Sequence, residues 1–195
     1  IYPAILLAGG LGLRRSEALG VRWSRIDWEQ NTVLLDTKIV EYERNGEKIV
    51  EPVEEMKNKS SRRTLPLPAP VREMLETERE KQEVYRKMFG KSYDIRYMDF
   101  VCVDQLGRLI RPSYVTQHFS DIIKKYGLRK IRYHDLRHTM ASILISHDVP
   151  LINVSNFLGH SDISTTANIY AHLDKASKQA SADIITGIFD NKSEG

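Results

Sequence analysis

The chain is poor in cysteine and in long apolar runs. Its 195 residues include one cysteine, Cys102, which excludes an internal disulfide framework and a cysteine-based zinc site. No apolar run reaches the roughly 18–20 residues that a membrane-spanning helix needs. The opening segment Ile1–Leu7 is too short to span a bilayer and lacks both an initiator Met and a basic flank. We therefore interpret it as an interior helix of a longer protein, not a signal peptide, and expect a cytoplasmic location without a membrane partner.

Charge of one sign is also scarce, because 29 Lys and Arg residues face 26 Asp and Glu residues for a net charge of +3. Many proteins that never touch nucleic acid have a similar balance, so the total alone favours no partner. The distribution is more informative. Basic residues cluster in segments 14–15, 57–63 and 129–132, whereas acidic residues collect in 41–55 and 73–83. Clustered cations can form a phosphate-binding face on an almost neutral protein.

Turn-forming residues divide the first half of the chain into short elements. Helices are predicted where apolar residues precede Gly9-Gly10 and where Ser16 can cap a turn that Gly20 ends. The residues around Asn45-Gly46 predict a β-hairpin, with further strands on either side. The predicted elements are helices over Tyr2–Ala8 and Ser16–Leu19 and strands over Thr32–Asp36, Lys38–Arg44, Glu47–Val53 and Arg62–Leu67.

The second half of the chain is predominantly helical. A long charged helix is predicted from Pro70 to Phe89, with Val71, Leu75 and Val84 on its thin apolar side. The later predicted elements are a strand over Phe100–Val103 and helices over Ser113–Lys125, Tyr133–Ser146, Leu151–Leu158, Ser164–His172 and Asp174–Phe189. Together these elements predict a single α+β domain over residues 1–195, mostly α, with one small antiparallel β-sheet.

Six side chains suggest chemistry on a phosphodiester. Arginine forks can hold a phosphoryl group bidentately while a phenol attacks it. Each residue taken singly also has a plain structural explanation, such as packing for one of the nine tyrosines or a surface pair with Glu17. The candidates are Arg14, Lys57, His134, Arg137, His160 and Tyr170.

His134 and Arg137 are three residues apart, so on a helix they share a face. An imidazole and a guanidinium side by side disfavour each other's charge and favour a bound anion between them. His138 lies four residues from His134 and raises the alternative of a metal site. That helix lacks the acid of an HExxH motif, and no later Cys or carboxylate stands at ligand spacing, so no metal is expected.

The segment after residue 158 places two further candidates. Gly159 allows a sharp turn, so that His160 stands at the start of the next helix, where capping of a helix end is its alternative role. Tyr170 follows ten residues later, toward the far end of a helix that starts near Ser164. Histidine and tyrosine are thus predicted at opposite ends of one short helix.

Five sequence blocks in a fixed order extend over almost the whole chain. They are Gly12-Leu13-Arg14-Arg15-Ser16-Glu17, Lys57 ahead of Ser60–Leu67, His134-Asp135-Leu136-Arg137-His138-Thr139, Leu158-Gly159-His160-Ser161, and Thr165-Thr166 with Tyr170 and His172. In this order they closely resemble the catalytic domain of the tyrosine recombinases, especially integrases of phages and of integrative or conjugative elements. An HxxR motif alone would be weak support, whereas five ordered blocks are highly specific.

The resemblance implies the fold of that catalytic domain and a role for each candidate. Arg14 and Arg137 match the family's two catalytic arginines, and Tyr170 matches its nucleophile. Lys57 matches the family's β-hairpin lysine. Lys59 competes for that role, but the distance of Lys57 from Pro66 fits integrases of this type better.

The two histidines complete the implied set. His134 matches the first residue of the HxxR pair and His160 the family's second histidine. Arg25 stands where relatives commonly carry an acid, at a position that is not catalytic. The departure therefore leaves the implied activity unchanged.

The implied reaction exchanges DNA strands by transesterification. Tyr170 attacks the scissile phosphate, forms a 3′-phosphotyrosyl bond and releases a 5′-hydroxyl, to which Lys57 gives a proton. His134 accepts the phenolic proton, while the two arginines and His160 stabilise the phosphate oxygens. No cofactor is expected, since the arginines supply the charge that a metal ion provides in many nucleases.

The resemblance also implies partners. Double-stranded DNA would be bound mainly through its phosphates, by a homotetramer that a separate excision factor can assist. Residues 173–189 carry an apolar stripe that covers this domain's own core or docks onto a neighbouring protomer, and we favour docking. Relatives also carry an N-terminal core-binding domain, which these residues lack. The expected DNA contacts are Lys59, Arg62, Arg63, Arg129 and Arg132.

Three alternatives to a mobile-element integrase stay open at this point. A resolvase of plasmid or chromosome dimers uses the same chemistry. A catalytically inactive DNA-binding module would retain the fold, although it has no use for the intact six-residue set. A type IB topoisomerase shares the mechanism, but the Leu158-Gly159-His160 segment favours a recombinase.

Overall fold

A computed structural model describes residues 1–54 and 62–173, and for residues 170–173 it describes the backbone. The helices are α1 (Tyr2–Leu11), α2 (Arg15–Leu19), α3 (Ala69–Phe89), α4 (Pro112–Lys125), α5 (Asp135–Ser146), α6 (Leu151–Leu158) and α7 (Ser164–Leu173). The strands are β1 (Ile26–Asp27), β2 (Thr32–Leu35), β3 (Lys38–Arg44), β4 (Glu47–Val53) and β5 (Arg63–Pro66). The predicted class, α+β and mostly α, is confirmed.

The strands form two antiparallel sheets where one was predicted. One sheet has the order β1-β2-β5 and pairs Val33 with Leu65, and the other is the β3–β4 hairpin. The hairpin turn occupies Asn45 (φ 53°) and Gly46 (φ 80°), the conformation that a two-residue hairpin requires. The predicted bounds of β3 and β4 are confirmed. Strand β1 was not predicted, because its two residues show no alternation.

The predicted strand over Phe100–Val103 is wrong. Phe100 and Val103 each make one isolated bridge, to Arg22 and Leu109 respectively. The segment is nevertheless buried, with Val101 fully inaccessible. Apolar content therefore indicated the burial of this segment correctly, but among the described residues no continuous strand lies beside it to form a ladder.

The predicted apolar side of α3 is wrong at Val84, whose residue surface is 55% exposed. Gln82 is buried in its place. Its side-chain oxygen accepts a hydrogen bond from Trp23 Nε1 at 3.0 Å, and its Nε2 donates to the carbonyl of Val101 at 2.8 Å. A buried amide with both ends satisfied is stable, and periodicity alone does not predict such a pairing.

Helix α1 forms the centre of the main core, with Ala4, Leu7, Ala8 and Leu11 fully buried against α3 and α5. The prediction that this helix ends at Ala8 is wrong. Its two glycines lie inside the helix, and a Cβ at the second would stand 2.7 Å from Val71 Cγ2. The absence of a side chain at Gly10 therefore allows α1 and α3 to approach closely.

A smaller core joins the last helices. Ala141 and Ile145 of α5 pack with Val154 and Leu158 of α6. The end of α1 lies at the edge of this core, because Gly12 lies beside Leu158 of α6 and accepts a hydrogen bond from Arg137 of α5. The candidate residues lie where these three helix ends meet. In the residues described, no helix is both long and apolar enough to cross a bilayer.

Candidate active site

The structure brings four of the six candidates together. Arg14, Arg137 and His160 surround the ends of α1 and α6, and His134 lies at the N-terminus of α5 one turn before Arg137. Tyr170 lies in α7, with its side chain outside the described residues. Lys57 and Lys59 also lie outside the described residues.

Arg14 is held at three atoms just ahead of α2. Its Nη1 is 2.6 Å from Glu17 Oε1, and its Nη2 donates to the carbonyl of Gly159 at 2.9 Å. Its backbone N–H donates to Glu17 Oε2 at 3.1 Å. The side chain is 36% exposed, so this guanidinium is both oriented and accessible.

Arg137 is almost completely enclosed, with its side chain 3% exposed. Its Nη1 donates to the carbonyl of Gly12 at 2.8 Å, while its buried Nη2 has no hydrogen-bond partner among the described residues. Burial and the neighbouring charge of Arg14 lower its pKa to about 9, which leaves it cationic at neutral pH. A buried cationic donor without an acceptor is costly unless a ligand supplies one.

Glu17 is the buried counter-ion that sequence reasoning treated only as a surface partner of Arg14. Its side chain is 4% exposed and lies 3.2 Å from Arg63 Nη2 and 3.9 Å from Arg137 Nη1. Burial alone would raise its pKa, but the charges of Arg63 and Arg14 bring the pKa below its usual value. One carboxylate cannot neutralise both Arg14 and Arg137, so the pocket keeps a positive charge.

Arg63 is placed differently from the expected DNA contact. Its side chain is 8% exposed, its Nε donates to the carbonyl of Phe157 at 2.8 Å, and it pairs with Glu17. In this position Arg63 supports the pocket by holding Glu17. Its expected contact with DNA stays a prediction. Arg63 lies on β5, where it pairs with Leu35 of β2.

The C-terminal end of α6 supplies acceptors for these cations. The last carbonyls of a helix have no partner within it and carry partial negative charge. Here the N–H of Gly159 donates to the carbonyls of Asn156 and Ser155, and the N–H of His160 donates to that of Ser155. Arg63 donates to the carbonyl of Phe157 and Arg14 to that of Gly159. Gly159, at φ 69°, allows the sharp turn that aims these carbonyls at the pocket.

His134, the first residue of the HxxR pair, directly precedes α5, and Arg137 lies in the first turn of that helix. Its ring meets that of His138 edge to face, with centroids 4.8 Å apart. Burial, together with the charges of His138 and Arg137, lowers the pKa of His134. A neutral imidazole next to a cationic pocket can accept a proton.

His160 follows the turn at Gly159 and is half-buried. Its Nδ1 lies 2.8 Å from the hydroxyl of Thr166, a fully buried residue in the first turn of α7. Burial and the charges of Arg137 and Arg14 lower the pKa of His160 to about 4. The ring is therefore neutral at pH 7 and carries one N–H.

The remaining expected DNA contacts lie on the surface. Arg62 and Arg129 are exposed. Arg132 is also exposed, and it pairs with Asp135 at 2.8 Å. Within the described ranges 1–54 and 62–173, no three His, Cys, Asp or Glu side chains are grouped as a metal site would require. The chemistry that this part of the chain offers is anion binding by two guanidinium groups and an imidazole.

Comparison with known proteins finds relatives in the same family that the ordered sequence blocks resemble. Residues 2–177 match the sequence pattern described as the Phage integrase family. A protein named tyrosine recombinase XerC-like, from Caldanaerobacter subterraneus subsp. tengcongensis, is 33% identical over 190 residues, which cover 94% of this chain and 48% of that protein. Tyrosine recombinase XerC of Pediococcus pentosaceus is 28% identical over 176 residues, or 88% of this chain and 49% of the relative. The chain thus spans about half the length of these relatives.

Solved structures share the fold. The Tn1549 transposon integrase, in complex with circular intermediate DNA, has a TM-score of 0.75 and 23% identity over 94% of this chain and 59% of its own. The XerH site-specific recombinase bound to a palindromic difH substrate has a TM-score of 0.59 and 24% identity over 94% and 45%. The ordered sequence blocks, the pocket built from them and the match over residues 2–177 lead to one conclusion. The chain belongs to the phage integrase family, whose members include the tyrosine recombinases.

Proposed function

We propose that this chain is the catalytic domain of a site-specific DNA recombinase, which cuts and rejoins DNA through a 3′-phosphotyrosyl intermediate. The observation that carries the proposal is the buried Nη2 of Arg137, which has no partner in the described part of the chain, near the accessible guanidinium of Arg14. A non-bridging phosphate oxygen is the acceptor that this arrangement lacks. The second guanidinium can then hold the other oxygen bidentately, as lysine could not.

Tyr170 is the proposed nucleophile. Its phenolic oxygen forms a bond to the scissile phosphorus as the bond to the 5′-oxygen breaks, and the freed 5′-hydroxyl of a partner strand later reverses the step. One phosphoester replaces another, so no external energy source is needed. The tyrosine phenol has an unperturbed pKa of about 10, so a base must take its proton at neutral pH. The neutral imidazole of His134 is the proposed acceptor.

The other candidate residues stabilise the negative charge of the phosphate and supply a proton to the leaving 5′-oxygen. Negative charge that gathers on the non-bridging oxygens is stabilised by Arg14, Arg137 and the N–H of His160. The 5′-oxygen leaves with a proton, for which Lys57 is the proposed donor. We propose no metal or cofactor, because the two guanidinium groups carry the positive charge that the reaction needs.

The proposed partner is double-stranded DNA, held mainly through its phosphates. Arg62 and Arg129 are exposed and are proposed to contact the DNA backbone. Lys59 keeps its proposed role, and Arg132 can contribute in competition with its pair, Asp135. Since DNA is the substrate, we propose a cytoplasmic site of action.

The proposed assembly is a homotetramer on DNA, and a separate excision factor can bias the direction of the reaction. We further propose that residues 1–195 form one catalytic domain that works with a preceding core-binding domain. The predicted C-terminal helix over 173–189 would dock onto a neighbouring protomer. Its apolar stripe supports this proposal, although from residue 174 onward it lies outside the described residues.

Integration and excision of a mobile element is the proposed biological reaction. A second candidate is resolution of plasmid or chromosome dimers, which the likeness to proteins named tyrosine recombinase XerC favours. These two reactions are distinguished by the DNA sites that are recombined. A resolvase recombines two identical sites on one circle, whereas an integrase joins unlike sites on separate molecules.

The decisive test is a covalent adduct. The full-length protein is incubated with a nicked DNA half-site. After cleavage, the short fragment that carries the freed 5′-hydroxyl dissociates, so the covalent adduct cannot be reversed. The wild type should form an adduct that survives denaturation, and Tyr170→Phe should form none, since it lacks the attacking oxygen. Tyr126→Phe, at an exposed tyrosine, is the matched control. An adduct retained by Tyr170→Phe would mean another nucleophile, and none in the wild type would mean a binding module.

A further inference from the structure

The hydrogen bond between His160 and Thr166 determines more than the position of a ring. Nδ1 of His160 and Oγ1 of Thr166 are 2.8 Å apart. Thr166 is completely inaccessible to solvent, and within the described part of the chain this is the hydroxyl's single hydrogen bond. The neighbouring Thr165 is exposed. The buried hydroxyl therefore has one available partner, and that partner is an imidazole nitrogen.

The hydroxyl has one proton, and its placement decides the state of the ring. If Nδ1 carried hydrogen, Thr166 could only accept, and its own proton would be buried without an acceptor, which is unfavourable. If Nδ1 is unprotonated, Thr166 donates to it and both groups are satisfied. The second arrangement requires the neutral ring to carry its hydrogen on Nε2.

We propose that Thr166 is a positioning residue that keeps neutral His160 in the Nε2–H tautomer, so that this N–H donates to a non-bridging oxygen of the scissile phosphate. The inference rests on the proposed function for the identity of the acceptor. In the opposite tautomer Nε2 would present a lone pair to the phosphate and repel it. The choice of nitrogen is thus the difference between a donor and a repulsive contact.

The neutral state of the ring makes the tautomer matter. A doubly protonated imidazole would donate from both nitrogens whatever Thr166 did. Here burial and the charges of Arg137 and Arg14 hold the pKa of His160 near 4, so that one N–H remains at neutral pH. Thr166, the partner of Nδ1, then determines which ring nitrogen carries this hydrogen.

The location of Thr166 adds a second consequence. Thr166 lies in the first turn of α7, one helical turn before Tyr170, and its N–H bonds the carbonyl of Ile163. Displacement of α7 would break the bond to His160. The Nε2–H of His160 is therefore available to donate to the phosphate only when α7, which carries Tyr170, is packed in place.

The test combines a tautomer measurement with a cleavage measurement. The ring nitrogens of His160 are observed by long-range ¹H–¹⁵N correlation in the protein without DNA and assigned by their absence in His160→Asn. The wild type should show protonated Nε2 and unprotonated Nδ1. Protonated Nδ1 in the wild type would overturn the proposal.

Single-turnover cleavage of the nicked half-site then tests the consequence. Thr166→Val keeps the shape but removes the donor, and we expect cleavage about tenfold slower with unchanged DNA affinity. Thr166→Ser should restore the rate to within about twofold, and Thr165→Val, the exposed control, should match the wild type. A serine variant as slow as the valine variant, or a valine variant as fast as the wild type, would refute the role.

The two proposals fail in different ways. Absence of any adduct in the wild type rejects the recombinase activity, and with it the phosphate as acceptor. An adduct together with an Nδ1–H ring rejects only the role of Thr166. Because the tautomer is read without DNA, a folding defect in Thr166→Val does not decide the result.

Discussion

At the scale of single residues, the site depends on an imbalance of charge that burial maintains. Three guanidinium groups share one carboxylate, Glu17, and two of the three are nearly enclosed. Such a cluster is stabilised by helix-end carbonyls and by its counter-ion, yet Nη2 of Arg137 finds no partner within residues 1–54 and 62–173. The cost of that unsatisfied donor in the free protein is recovered when an anion binds.

Glu17→Gln tests the counter-ion. The substitution keeps the shape but leaves Arg63 and Arg137 buried without their shared charge, and we expect a loss of about 3 kcal/mol in the free energy of unfolding. Urea denaturation at pH 7 measures it. Glu80→Gln, at an exposed position, is the control and should change stability by less than about 0.5 kcal/mol.

The pH dependence gives a second check on Glu17. Its folded pKa is lowered, so its stabilising contribution is present above the unfolded value of 4.5 and is lost as the pH falls through the folded pKa. Wild type should therefore lose stability below pH 4.5 more steeply than Glu17→Gln. Parallel curves for the two proteins would contradict the assignment.

At the scale of elements, helix ends position the catalytic groups. Gly12 ends α1 in the left-handed region at φ 64°, and its carbonyl accepts the hydrogen bond of Arg137. A Cβ there would lie 2.2 Å from Leu158 Cδ2. The turn after α6 holds Arg14 in the same way, through the carbonyl of Gly159. Two helix C-termini thus orient two arginines.

Gly12→Ala should disrupt this arrangement. The substitution places a side chain in the left-handed region, at about 1–2 kcal/mol, and adds the clash with Leu158. Thermal unfolding should show a lowered Tm. Gly9→Ala is a control of opposite sign, since Gly9 lies inside α1 with nothing within 4 Å of its Cβ, and it should stabilise by about 0.5–1 kcal/mol. Equal effects from the two would contradict the strain argument.

At the scale of the whole molecule, the pocket joins segments that are far apart in the chain. Arg14 and Gly159 are separated by 145 positions, and Arg137 and Gly12 by 125. The site therefore exists only when α1, α5 and α6 are packed around their common core.

Deletion from Lys175 onward tests that assembly. In the full-length protein we expect single-site DNA binding to persist while synapsis of two sites is lost, because the docking stripe has been removed. Gel mobility of one-site and two-site complexes measures both. A sharper variant replaces Ile184 and Ile188 by Ser, with Lys178→Ser, off the stripe, as its control. Unchanged synapsis in the truncated protein would reject docking in trans.

Much of this fold was predictable because its signals are local. Asn45-Gly46 specifies a tight hairpin turn, and the bounds of α6 and of both hairpin strands followed from such turn residues. Errors arose where a residue's environment came from another segment. Val84 is exposed and Gln82 buried because Trp23 and Val101 supply the polar partners that an amide needs.

The class of fold, the family and the chemical identity of the candidate residues could all be read from the amino-acid sequence, since ordered motifs and turn chemistry operate within a few residues. Which charges are enclosed depended on how distant segments pack. It moved Arg63 from the expected surface into the pocket and made Glu17 a shared counter-ion. It also aimed the hydroxyl of Thr166 at His160. Burial and hydrogen-bond geometry between distant segments arise only from packing, and no local pattern encodes them.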